Sequence, residues 1–249
     1  PAGGTATLTL QAPITSRGDI EVTSESGAYT TNFTAPAGQE LSNEGSLTVL
    51  LGDGGARTLS MELHNNGLVD LQTNTTLGMT GAAHQNSGTL LATAPLSLTG
   101  ISFTNLDGGR VESSSTITHS SYGLTNDGTF AAGPGIGSMT LNGDLNFGAT
   151  AIIEAQIGGT TPDTEYDRII TSGNVHLDGQ IQLLAANGFE PQIGHAFTIL
   201  NAGSTSGSFS GVTYDGVMPL GYGWDVLYTG LEVVVFVAQT IEDAGAGSK

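Results

Sequence analysis

The residues able to do chemistry are few, and their spacing argues against most chemistries. Five histidines, His64, His84, His119, His176 and His195, are scattered with no pair at metal-ligand spacing on one short element, so a zinc site is not expected. Arg57, Arg110 and Arg168 stand alone, each without a second basic residue nearby, whereas cleavage of acidic sugars by elimination needs clustered cationic groups. Asp70 and Glu112 fall at equivalent outward places two repeats apart with Leu91 between them, about 10 Å by strand spacing. That is the far limit for an inverting glycosidase pair. Gly-x-Ser-x-Gly is absent, so a serine-nucleophile elbow has no support. Asp-Gly steps at Asp53, Asp107, Asp127, Asp178 and Asp215 suggest calcium turns, but the nonapeptide of a calcium β-roll is missing. The sequence therefore assigns no catalytic, cofactor-binding or metal residue and expects no cofactor, with calcium as the one alternative.

The elements that would position these side chains are legible. One phrase returns five times: Leu41-Ser-Asn43-Glu-Gly45-Ser-Leu47-Thr-Val49, then around Asn65, Asn86, Asn105 and Asn126, the Asn105 copy stretched by two residues before Gly109. Apolar residues two before each asparagine (Leu41, Leu63, His84, Phe103, Leu124) and two after each glycine (Leu47, Val69, Leu90, Val111, Phe130) alternate with polar ones. A period of two is a strand pattern with one inward face. A repeat every twenty-odd residues predicts stacked coils rather than hairpins. The expectation from the repeat is an all-β parallel β-helix (β-solenoid) with about 20–22 residues per coil. Each Asn-x-Gly is read as the bend between strands, glycine accepting positive φ and asparagine bonding nearby backbone. His84 stands where leucine usually does, which predicts a hydrogen-bonded or partly exposed core histidine, and Arg110 beside Glu112 predicts a surface ion pair or a solvated face.

The organisation expected is an N-terminal cap or assembly arm over 1–40, with strands at Thr5 to Leu10 and Ile20 to Val22 and an irregular stretch from Ser24 to Pro36, regular solenoid over 41–148, a C-terminal solenoid and capping region over 149–238, and a flexible tail over 239–249. The run Leu231 to Val237 is the most hydrophobic in the chain and requires cover.

Charge narrows the partners. Lys and Arg number 5 against 23 Asp and Glu, a net charge of −18, so no basic footprint exists for nucleic acid. Anionic membranes would repel such a surface, and no apolar run approaches the roughly 20 residues of a helical span. There is no cysteine, hence no disulfide framework. Pro1 in place of an initiating methionine suits a processed, secreted chain.

The segment Tyr166-Asp167-Arg-Ile-Ile170-Thr-Ser-Gly173, then Gly194-His-Ala-Phe197-Thr-Ile-Leu200, then Ser206-Gly207-Ser-Phe209, resembles the C-terminal part of bacterial autotransporter-type passenger β-helices and related large surface adhesins. The likeness covers roughly 130–238 and rests on turn motifs. It implies a right-handed β-helix, export and a role at the cell exterior, and no chemistry. No membrane-barrel segment follows Ala238 here, which leaves release, another anchor or self-assembly as expectations.

Together these readings predict a secreted, non-enzymatic structural or adhesive solenoid that associates with itself head to tail into an extracellular homopolymer: a filament, sheath or surface layer. The N-terminal arm and Leu231 to Val237 are the segments expected to carry the contact. Contact with a cell surface or polysaccharide is the other partner expectation. The alternative is an extracellular polysaccharide-binding or polysaccharide-degrading β-helix, for which Tyr122, Tyr214, Tyr222 and Trp224 are the clustered aromatic candidates, although Trp224 is read first as packing the terminal core.

Overall fold

The structure is a computed structural model that describes residues 4–27, 29–119 and 123–240. Among them there is no helix; every regular element is a strand. The strands form three sheets of eleven, nine and nine members, and successive strands visit the three sheets in turn. Nine coils thus stack along one axis as a parallel β-solenoid.

The expected register holds. Leu47 pairs with Val69, Val69 with Leu90, Leu90 with Val111 and Val111 with Phe130, and all five are buried. The file extends to Ile20 at one end and through Ile153 and Ile181 to Val212 at the other. Each inward aliphatic or aromatic side chain removed from water contributes about 1.5–3 kcal/mol. Identical positions above and below supply the packing partners. Coil length is near 21 only within the repeats, and reaches 31 residues between Ile181 and Val212.

The bends fall where expected, between the strands at Asn-x-Gly, and each asparagine donates to the carbonyl of the glycine that follows it, but these residues also do a job that was not expected. Asn43, Asn65, Asn86, Asn105 and Asn126 lie within or end their strands with buried side chains, and none has positive φ. Their side-chain amides form a ladder inside the solenoid. Asn43 donates to Asn65 Oδ1 at 2.8 Å, Asn65 to Asn86 at 2.7 Å, Asn86 to Asn105 at 2.6 Å and Asn105 to Asn126 at 2.6 Å. Each of the first four also donates to a backbone carbonyl of the next coil, as Asn86 does to Arg110 O. The glycines two residues on, Gly45, Gly67, Gly88 and Gly128, also lack positive φ. They are glycine because the coils meet there. A Cβ on Gly88 would overlap the carbonyl oxygen of Gly67, which accepts the Thr89 N–H at 2.8 Å. Only the stretched copy uses left-handed backbone, at Gly108 with φ 80°.

Both ends depart from expectation. The two N-terminal strands expected are present as Gly4–Thr9 and Asp19–Val22, and with Ile14–Ser16 they make a complete coil of the solenoid rather than a separate arm. Tyr29–Thr34, inside the stretch that lacks apolar alternation, pairs in parallel with Gly4–Thr9 and with Arg57–Ser60. Threonines and an asparagine there fill the outward places, while Phe33 points into the core. At the other end, Glu232–Gln239 runs antiparallel between Ala196–Asn201 and Tyr222–Tyr228. Both its edges are bonded, so the hydrophobic run Leu231 to Val237 is covered by its own chain and has no free edge for a neighbour. Of the tail, 241–249 lies outside the described residues.

Candidate functional site

One charged constellation stands on the outer face of the third sheet. In-register pairing places Glu112, Ala131 and Glu154 on three successive coils. Arg110 bridges them, Nε donating to Glu112 Oε2 at 2.6 Å and Nη2 and Nη1 gripping Glu154 at 2.6 and 3.1 Å. The hydrogen bond to Glu154 is the chief reason the guanidinium is held above its ordinary pKa. Two carboxylates either side of an open position could serve acid/base chemistry if a water lay between them. Here one guanidinium occupies both, so the arrangement is a clamp across two coils.

Beside it sits Asp167, buried, accepting the backbone N–H groups of Gly137 and Gln156 at 2.8 Å each. Burial pushes its carboxyl up to about 6, against the pull of those two hydrogen bonds, and Glu154 and Glu112 add to the rise. Asp167 thereby ties the start of Ser138–Asn142 to Ile152–Ile157 around a corner of the coil. Neighbouring Tyr166 packs edge-on against Phe197, ring centroids 5.2 Å apart. The Tyr-Asp phrase is thus a structural corner.

A second cluster was not visible from histidine spacing. On the outer face of the second sheet Glu40 pairs with Glu62 and Ser42 with His64. His64 Nδ1 approaches Glu40 Oε2 at 3.3 Å and Nε2 approaches Glu62 Oε1 at 3.2 Å. The three half-buried groups offer ligand atoms within 4.8 Å of one another, a donor set suited to a divalent ion with open positions for water. Glu62 also accepts the Ala83 N–H at 3.1 Å, so the trio is hydrogen-bonded as it stands. The signal was in the repeat: Glu62 precedes His64 by two, and Glu40 occupies its place one coil earlier.

The remaining candidates resolve individually. His84 is buried as expected. Its Nδ1 accepts the Leu63 N–H at 3.2 Å and its Nε2 faces Thr99 O at 2.9 Å, which assigns the proton to Nε2. Burial lowers its pKa. Asp70 and Glu112 flank Leu91 in register, as expected. Arg57 is 1% exposed, donating to the carbonyls of Gly55, Ser24 and Gly52. Its burial was not legible, because those carbonyls come from two separate loops. Trp224 packs on Phe197 and meets Tyr214 at 72° with centroids 5.4 Å apart. That is a T-shaped pair closing the core, not a flat outward platform; Tyr122 lies outside the described residues.

The two ends of the solenoid differ. At the N-terminal end each sheet finishes on a strand with no partner on its outer side among the described residues, and inward Leu8 is 62% exposed and Ile14 40%. At the C-terminal end the antiparallel pair closes the first sheet, and the turn after Tyr222–Tyr228 covers the second, Thr205 N–H donating to Gly230 O at 2.8 Å. Compared with known proteins, the chain matches no family model and no curated protein.

Proposed function

We propose that this chain is an exported structural or adhesive solenoid that works by shape and association rather than by catalysis, building a filament, sheath or surface layer outside the cell. The observation that carries the reading is the polarity of the stack. Apolar and glycine columns run coil on coil along one axis and finish at an N-terminal coil whose strand edges and inward Leu8 and Ile14 are left open among the described residues. An uncovered coil end is a template for further strands. The acidic surface (net charge −18) suits solubility in the aqueous exterior and keeps the flanks from sticking. The likeness of 130–238 to autotransporter-type passengers and surface adhesins points the same way.

The test is light scattering and negative-stain microscopy of the protein over rising concentration and salt. End-to-end strings are expected, with an axial repeat of about 50 Å for eleven strands at roughly 4.8 Å each. They should lengthen with salt as flank repulsion is screened. Single particles under every condition would reject self-association.

A further inference from the structure

The open end has a counterpart on the same molecule. Between Gly4–Thr9 of the first sheet and Asp19–Val22 of the third lies a cleft lined by Leu8, Ile20 and Val22 with Phe33 at its floor. It is the uncovered mouth of the apolar core. At the opposite end, between Val212–Tyr214, the last strand of the third sheet, and Tyr222–Tyr228, the last of the first, runs the loop 215–221. This loop carries Val217-Met-Pro-Leu220, with Val217 76% and Leu220 95% exposed. Its base is fixed: Asp215 N–H donates to Leu183 O at 3.2 Å and Tyr222 N–H to Pro219 O at 3.1 Å.

Knob and mouth therefore occupy the same corner, between the first and third sheets, at opposite ends of the axis. A second copy translated along that axis would bring one over the other. The geometry points to a heterologous contact in which the loop 215–221 of one molecule seats its apolar side chains in the cleft of a second copy of this chain. The outer edge of Tyr222–Tyr228 would then lie beside the outer edge of Gly4–Thr9, so the first sheet continues across the joint. Because the two patches differ, the contact does not close on itself and propagates. This inference rests on the self-association reading and specifies how it happens, in place of the Leu231 to Val237 edge that the fold removes.

The test uses Leu8→Asp in the cleft and Leu220→Asp on the loop, followed by sedimentation velocity. Both sites are exposed, so thermal unfolding should match the wild type; Leu8→Ser is the milder second variant for the cleft. Each change should weaken association at least roughly tenfold, the worth of losing one buried aliphatic contact and placing a charge there. Mixed one to one, the two variants should form a dimer and nothing larger, since each retains one good end. Association by Leu220→Asp at wild-type strength would overturn the loop's role, and if Leu8→Asp alone is impaired the joint is mouth to mouth. Wild-type strength in both variants would place the joint elsewhere while leaving self-association standing. A wild type that stays monomeric would remove both.

Discussion

The side-chain amide of Asn86 donates to Asn105 Oδ1 at 2.6 Å, and Asn86 Oδ1 accepts from Asn65 at 2.7 Å, making each asparagine both rung and rail of a buried ladder. The donors all point toward the C-terminal end. The ladder stops where Asn126 meets Phe147 in register, and its first acceptor, Asn43 Oδ1, is buried without a partner.

Replacing Asn86 with leucine keeps the branched outline, though not the volume, and strands its neighbours: Asn65 Nδ2 loses an acceptor, and the carbonyls of Gly88 and Arg110 lose a donor. A loss of about 2–4 kcal/mol is expected in urea unfolding. The converse change is Ser16→Asn, since Ser16 pairs with Asn43 one coil earlier. It should stabilise by about 1 kcal/mol by satisfying Asn43 Oδ1. No gain there would mean that the first coil cannot orient an amide toward it.

Glycine to alanine should separate two kinds of glycine. Gly88 has ordinary φ but no room, a Cβ there overlapping Gly67 O. Gly81 has φ 86° and open space. Gly81→Ala should cost about 1 kcal/mol, the conformational penalty alone. Gly88→Ala should cost several times more, because two coils must part. Equal melting shifts for the two variants would contradict close coil contact.

Much of the core was readable and the reason is physical. Alternation with period two reports one buried face, so the file from Leu47 to Phe130 could be written down from spacing. The bend at Asn-x-Gly was decodable, made without positive φ in four of the five copies, but the amide ladder was not, because each rung's partner lies in the next coil. Tyr29–Thr34 was missed because only Phe33 among its residues is large, apolar and inward. The chemistry-bearing side chains were legible one at a time, as with His84 and Arg110. Partnerships such as Glu40 with His64, or Asp167 with Gly137, depend on which coil lies above which.

Arg57 offers a sharp stability test. Replacing it with methionine fills similar space but leaves the carbonyls of Ser24, Gly52 and Gly55 without this donor. About 2–3 kcal/mol should be lost, and protease cleavage within 50–56 should quicken as that loop is freed. Unchanged proteolysis would show that the guanidinium does not pin the loop.

Two buried groups should pull stability in opposite directions with pH. Asp167 titrates near 6 in the fold against an ordinary 3.8, so the native state takes up its proton first. The group favours the fold at low pH, and that advantage fades as pH rises through 6, by up to about 3 kcal/mol. His84 is shifted below its ordinary 6.5, so its contribution is present above 6.5 and lost as pH falls through its folded value. Urea melts between pH 4 and 8 should show wild type gaining on Asp167→Asn, and losing against His84→Gln, as pH drops. The same sign for both would refute one of the two assignments.

The stacking of coils is tested most directly by distance. Glu21, Thr48, Asp70, Leu91, Glu112, Ala131, Glu154, Gln182 and Thr213 form one outward file in unbroken register. With no native cysteine, spin labels go only where cysteines are introduced. Pulsed dipolar spectroscopy on a Thr48/Gln182 pair should give a narrow distribution near about 29 Å, and on a Glu21/Thr213 pair near about 38 Å, at roughly 4.8 Å per coil. Equal separations in the two pairs, or broad distributions unrelated to the number of intervening coils, would contradict the stack and the end-to-end assembly built upon it.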